Sequence, residues 1–315
     1  MGRAGNLSNT GGGSQGSYHP VALLQALRPH QWIKNVLVFL PVVFSVKVAW
    51  SLENLDPVPG LVVGLGLVFV GFCALSSSTY LLNDLMDRKA DQQHPVKRHR
   101  PIASGQVGLP TALTVMLVLA LAGLALMVWL EPLLAAIGLL YLVINVSYSL
   151  GMKQVVLIDL LAVASGYVIR VTAGAVAIDV TPSPWLYATT AAGALFIVLG
   201  RRYAEVRLAG DAAEGQRSVL SSYSGPFIGQ LLSISATAAW LSYTLYTVEA
   251  ENLPDNNTML LTLPIVTFGL FRYLYLLNTS REAESPEHMI VRDIPLLVSI
   301  LCWVGVSALV LLLAG

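Results

Sequence analysis

Asn83, Asp84, Asp87 and Asp91 set four oxygen-bearing side chains close together in a chain only 11% of whose residues are charged. At roughly 100° per residue, a helix would project them at about 0°, 100°, 40° and 80°, inside one quadrant. Carboxylates gathered without His or Cys suit a hard cation. Mg²⁺ takes one or two of them and leaves its other positions to substrate phosphate oxygens and water. His94 and Pro95 should end that helix, because Pro lacks an N–H and pushes the residue before it out of helical geometry. Lys97, Arg98 and Arg100 follow in an irregular loop, offering one point charge and two planar forks that match phosphate oxygens. The order along the chain is metal, diphosphate, phosphate clamp. The basic residues alone would also fit a solvated loop at a membrane surface, but unpaired acids beside them serve no such purpose.

Membrane helices must hold these residues. The 315 residues are 55% hydrophobic with a formal net charge of zero, outside the range of ordinary soluble domains. Nine apolar runs lie near residues 34–54, 60–82, 111–130, 133–150, 156–178, 184–200, 231–249, 258–277 and 294–314. Each approaches the about 20 residues that one helical span needs. Runs such as "LTVMLVLALAGLALMVWL" are apolar all round rather than alternating, so the expected fold class is all-α, a polytopic bundle of about nine helices, and not a β-barrel. Residues 1–20, rich in Gly, Ser and Asn and without the apolar core of a signal peptide, are expected to form a disordered tail. Residues 21–315 then form one transmembrane domain, with loops 83–110 and 201–230 as a cytosolic cap. Cys73 and Cys302 fall inside spans without metal-ligand spacing and read as small buried residues.

Of the 18 Lys and Arg residues, all but Lys47 and Arg170 fall at one end of the expected bundle. The opposite loops, around "ENLDPVP", "EP", "DVTPSP" and "EAENLPDNN", are acidic or neutral. By the positive-inside rule, the amino terminus and every charged cluster capable of chemistry face the cytoplasm, and the carboxyl terminus lies outside.

"YLLNDLMDRKADQQHPVKRHRPIASG" at the inner end of span two resembles the UbiA superfamily of intramembrane prenyltransferases. Together with "LRPHQWIKNVLVF", "IRVTAGA", "GRRYAEV" and "VRD", it is most similar to the decaprenyl-phosphate phosphoribosyltransferase branch, over residues from about 23 to the carboxyl end. The resemblance implies a bacterial plasma-membrane enzyme that uses Mg²⁺. It would move 5-phosphoribosyl from 5-phosphoribosyl 1-diphosphate to a polyprenyl phosphate, for arabinose donors of cell-wall polymers. One departure from the wider superfamily favours that branch. A second DxxxD-type motif is expected near span five, yet Asp159 stands alone, with Val163 four residues on.

Arg170 lies eleven residues beyond Asp159, on the same helix face but about 16 Å along the axis, too far for direct contact. Ionisable groups inside a span line a polar cavity or pair with one another. Both readings stand for these two. Arg201, Arg202 and Glu205 fit either a surface ion-pair turn or, on the family string "GRRYAE", a donor-binding site with Tyr203 nearby. Lys34 fits either a headgroup anchor beside Trp32 or a phosphate contact. In the implied reaction, Asp84, Asp87 and Asp91 hold the metal, while Lys97, Arg98, Arg100 and Arg170 stabilise the leaving diphosphate. The rival readings are a prenyltransferase acting on an aromatic acceptor, which would want a second acidic pair, and a transporter of phosphorylated solutes, which would want inverted repeats. No nucleic-acid partner is expected, and the oligomeric state stays open.

Overall fold

The structure, a computed structural model, describes residues 20–46, 48–209, 222–250, 253, 256–280, 289 and 292–313. The expected tail before Pro20, Lys47, Arg281 and residues 210–221 of the loop after span six, Arg217 among them, lie outside these residues. Among the described residues the secondary structure is helical, with one isolated bridge between Val46 and Trp50.

α1 (Pro20–Leu27) ends at Arg28, whose backbone enters the left-handed region at φ 54 and ψ 59. The chain then runs as a 3₁₀ segment over Pro29–Phe39 that continues as α2 (Leu40–Val43). The first span was expected over 34–54, and the structure corrects both ends. After Val43 the Trp50 indole donates to Val42 O at 2.9 Å and ties the chain into a turn. The shortened element loses little length, since a 3₁₀ helix rises about 2.0 Å per residue. The fifteen residues from Pro29 to Val43 therefore cover about 28 Å, close to a hydrocarbon core.

α3 (Val58–Met86), α4 (Arg88–Gln93), α5 (Leu109–Leu130), α6 (Pro132–Leu150) and α7 (Ile158–Ala177) follow. α8 (Pro184–Ala209), α9 (Gly225–Glu249), α10 (Leu263–Thr279, led in by a 3₁₀ turn from Thr258) and α11 (Ile294–Leu313) complete the bundle. Helical segments occupy all nine expected positions, and six are long and apolar enough by length and composition to cross a membrane. The others are the broken first segment, α8 and α9. α8 carries Arg201, Arg202, Glu205 and Arg207 at its end. α9 is rich in Ser and Thr, several of whose hydroxyls bond back to carbonyls three or four residues earlier.

Two packed halves meet at α7. The 3₁₀ segment, α3, α5, α6 and α7 enclose Leu65, Phe72, Leu75 and Met127. α7 through α11 enclose Phe196, Leu199, Ile228 and Leu277. Lipid chains are as apolar as Leu, so close contact rather than water exclusion holds such helices together. Gly123 and Gly138 show it: an added Cβ would lie 2.8 Å from Leu75 Cδ2 and 2.5 Å from Met127 Sδ, respectively. The tightest approach lies within the first half, between α7 and the 3₁₀ segment at Gly174, where a Cβ would lie 2.0 Å from Val38 O.

Candidate active site

The charged residues collect where α3, α8 and α10 end and α7, α9 and α11 begin. α3 breaks at Asp87 (φ −84, ψ 1) before α4 resumes. The amides of Asp87 and Asp91 still reach Asn83 O (2.9 Å) and Asp87 O (2.8 Å), so the helical spacing of the acidic residues survives the break. Asp84 and Asp91, 2% and 4% exposed, converge on one atom: Arg100 Nη1 lies 3.2 Å from Asp84 Oδ1 and 2.7 Å from Asp91 Oδ2. Arg28 Nη2 donates to the same Asp84 oxygen at 2.6 Å. Asp87 turns aside to Lys153 Nζ on the loop between α6 and α7. Asn83 Oδ1 is buried with no hydrogen-bond partner. Lys97 is half-buried nearby in sequence, and Arg98 is exposed and donates to His99 Nε2 at 3.3 Å.

Among the described residues no three His, Cys, Asp or Glu converge as a ready metal site. Internal cations neutralise the carboxylates instead. The donor set, two buried carboxylates, a third half-exposed one and an orphaned amide oxygen, is all hard oxygen and fits a divalent cation such as Mg²⁺.

Asp159 and Arg170 do not share one site. Asp159, fully buried, accepts from Arg202 Nη2 (2.9 Å) and from the Tyr223 hydroxyl (2.7 Å). Arg202 also reaches Glu205 Oε2 (2.6 Å), whose other oxygen takes Arg201 Nε (3.1 Å). The Tyr223 hydroxyl oxygen in turn accepts from the amide of Leu157 (2.7 Å), a non-glycine residue held at φ 68. Burial, and then the Asp159 contact, push the Tyr223 phenol up to about 12, so it stays a donor at any working pH. Tyr203 points to α10, donating to Asn278 Oδ1 at 2.8 Å.

Arg170, 5% exposed, donates to Asn35 Oδ1 (2.7 Å), Gly166 O (2.6 Å) and Tyr141 OH (3.2 Å). Its guanidinium also lies 4.9 Å from the Tyr141 ring and 5.6 Å from that of Phe72. It clamps the 3₁₀ segment to α6 and α7, and its hydrogen bonds go to neutral groups. Lys34 is half-buried on that same 3₁₀ segment, one residue before Asn35.

Arg28, Lys153, Tyr223 and Asn35 escaped the sequence reading. Lys153 counted only toward orientation. Arg28 and Asn35 sit inside "LRPHQWIKN", where Lys34 drew the attention; the pre-proline position of Arg28 was the available signal. Beneath the charged end, an apolar cavity of about 430 Å³ opens between α7, α8, α10 and α11. Tyr167, Gly193, Ile197, Leu270 and Trp303 are among its walls. Ile197 and Arg201 are one helical turn apart, so greasy space and charge share α8.

Residues 32–313 match the profile of the UbiA prenyltransferase family. The chain is 33% identical over 291 residues to the decaprenyl-phosphate phosphoribosyltransferase of Mycolicibacterium smegmatis, covering 90% of each chain. It is 31% identical to the enzyme of that name from Corynebacterium glutamicum, covering 90% of this chain and 84% of that one. Among solved structures, a UbiA homologue from Archaeoglobus fulgidus bound to GPP and Mg²⁺ superposes with a TM-score of 0.68 at 16% identity, over 92% of this chain and 99% of that one.

Proposed function

From the premise that the chain belongs to the UbiA prenyltransferase family, we propose that it transfers 5-phosphoribosyl from 5-phosphoribosyl 1-diphosphate to a polyprenyl phosphate, releasing diphosphate. The observation that carries this choice is Asp159. Its two oxygens are taken by Arg202 and Tyr223, and Val163 stands where a second carboxylate would complete a second acidic motif. Superfamily members that activate a polyprenyl diphosphate are expected to carry a second acidic motif, so a single acidic cluster favours a phosphoribosyl donor. The relatives at 31% and 33% identity carry the matching name.

In the reaction, the bond between the sugar C1 and the diphosphate oxygen breaks with its electron pair going to the diphosphate. A lone pair on the polyprenyl phosphate oxygen forms the new bond at C1. The acceptor is already an anion and needs no general base. A divalent cation held by Asp84, Asp87, Asp91 and Asn83 would supply Lewis-acid stabilisation of the leaving diphosphate. Arg100, with Lys97 and Arg98 on the same loop, offers forked and point charges to its phosphates. Arg201, Arg202 and Glu205, anchored on Asp159, line the inner end of α8, and Lys34 on the 3₁₀ segment would contact the acceptor phosphate. Arg170 braces the wall that carries Lys34. Alignment of the two reactants supplies much of the barrier reduction, on the order of 7–11 kcal/mol for well-oriented groups. The apolar cavity takes the first isoprene units of the acceptor while its head reaches the charged end.

This arrangement calls for nine crossings of a bacterial plasma membrane, with the charged end cytoplasmic, where the soluble donor is, and the carboxyl terminus outside. The product feeds arabinan precursor synthesis for the cell wall. The test offers purified protein labelled 5-phosphoribosyl 1-diphosphate with polyprenyl phosphate and, separately, labelled polyprenyl diphosphate with 4-hydroxybenzoate. Label from the first pair should enter the lipid phase; product from the second pair alone would overturn the assignment.

A further inference from the structure

Arg28 stands immediately before Pro29 with φ 54 and ψ 59. The left-handed region is disfavoured for any residue with a Cβ, and proline restricts its predecessor further. Such backbones persist only where the surroundings over-determine them, and they cluster at ligand clamps and switches. Here Ser77 Oγ donates to Leu27 O at 3.1 Å, and the amide of Gln31 donates to Arg28 O at 2.9 Å. The guanidinium carbon lies 5.2 Å from the centre of the Tyr80 ring, and Nη2 sits 2.6 Å from Asp84 Oδ1, with the side chain 22% exposed. The strained turn therefore aims one cation at one nearly buried carboxylate oxygen.

A divalent cation and Arg28 would compete for that oxygen, since both are positive. A diphosphate has the opposite relation to Arg28, which it attracts. We propose that Arg28, which shares Asp84 Oδ1 with Arg100 and lies closer to it (2.6 Å against 3.2 Å), is the displaceable counter-ion of Asp84 and the hand-over residue for the donor diphosphate. It occupies Asp84 Oδ1 in the empty site, yields it when metal and diphosphate arrive together, and then contacts the diphosphate from its seat over Tyr80. The consequence is that metal alone is kept out and the pair loads as a unit. This rests on the phosphoribosyl-transfer reading above.

The test measures Mn²⁺ binding to the full chain in detergent by the electron paramagnetic resonance of free Mn²⁺, and Mn²⁺-dependent binding of 5-phosphoribosyl 1-diphosphate by equilibrium dialysis. Arg28→Gln should bind Mn²⁺ alone about tenfold more tightly and the donor about tenfold more weakly, as expected for removing a half-buried charge partner. Arg28→Lys keeps the charge without the fork, so it should hold Mn²⁺ within about twofold of wild type while still weakening donor binding. A merely structural role would move both affinities the same way. Parallel losses in Arg28→Gln, unchanged donor binding in either variant, or tighter Mn²⁺ binding by Arg28→Lys would overturn the proposal. A wild-type protein that binds no donor in Mn²⁺ removes the transfer reading as well, whereas normal wild-type binding with same-sign losses removes only the role of Arg28.

Discussion

Gly174→Ala asks whether the contact between α7 and the 3₁₀ segment sets the geometry of the charged end. The added methyl would lie 2.0 Å from Val38 O, 2.8 Å from Val38 C and 3.2 Å from Val38 Cα. Ordinary contact begins near 3.4 Å, so the 3₁₀ segment must retreat by about 1.4 Å, and its backbone has no rotamer through which to yield. Overpacking of this kind costs about 1–3 kcal/mol. Asn35, three residues before Val38, accepts from Arg170 at 2.7 Å, and a retreat of that size breaks the bond. Lys34 and Arg28 ride on the same segment, and a displacement of about 1 Å near reacting groups can cost on the order of 10²-fold in rate. The assay pairs thermal unfolding in detergent with transfer of labelled phosphoribose into lipid. Gly60→Ala is the control, because nothing lies within 4 Å of a Cβ there. Gly174→Ala should lower the midpoint and cut transfer at least tenfold, while Gly60→Ala matches wild type. Wild-type transfer by Gly174→Ala would refute the reasoning.

Asp84→Asn should still insert into the membrane, unfold at a lower midpoint because Arg28 and Arg100 lose a buried carboxylate, and reduce transfer at least 10²-fold, and chelation of divalent cations should cut wild-type transfer likewise, read as labelled lipid. Tyr223→Phe removes the hydroxyl joining Leu157 N to Asp159, so amides around residues 155–160 should exchange faster and the donor KM should rise; exchange followed by mass spectrometry checks it. Asn35→Leu strips an acceptor from the buried Arg170 guanidinium and should cost about 1.5–3 kcal/mol in denaturant unfolding. Asp293 is held below the usual carboxylate range by hydrogen bonds from Arg272, reinforced by the amide of Leu296. A depressed folded value means the stabilisation is present above the unfolded pKa of about 3.9 and is lost as pH falls through the lower folded value. The thermal midpoint of Asp293→Asn should therefore lie below wild type at pH 7, and the gap should close on acidification.

The helical class and the position of each segment were legible because apolar runs of span length have few alternatives. The first segment was read too far, to residue 54, since hydropathy does not register the change to a 3₁₀ rise or the Trp50–Val42 tie. The acidic spacing was legible because helical bonding persists across the break at Asp87. What could not be read was which cation each acid would meet. Arg28 is 56 residues from Asp84, and Lys153 is 66 from Asp87. Asp159 and Arg170 share a helix face, but their partners come from other helices, Arg202 for one and Asn35 for the other. Only the three-dimensional approach of Val38 separates Gly174 from the open positions Gly60 and Gly66.

The most direct test of the central claim is a map of the protein with Mn²⁺ and 5-phosphoribosyl 1-diphosphate, recorded so that the metal is identified by its anomalous signal. The account predicts metal density against the carboxylates of Asp84 and Asp91, with the diphosphate beside Arg100 and the pentose directed toward the apolar cavity. Metal or donor bound at the opposite end of the bundle, or carboxylates still closed on Arg28 and Arg100 with the donor elsewhere, would contradict it.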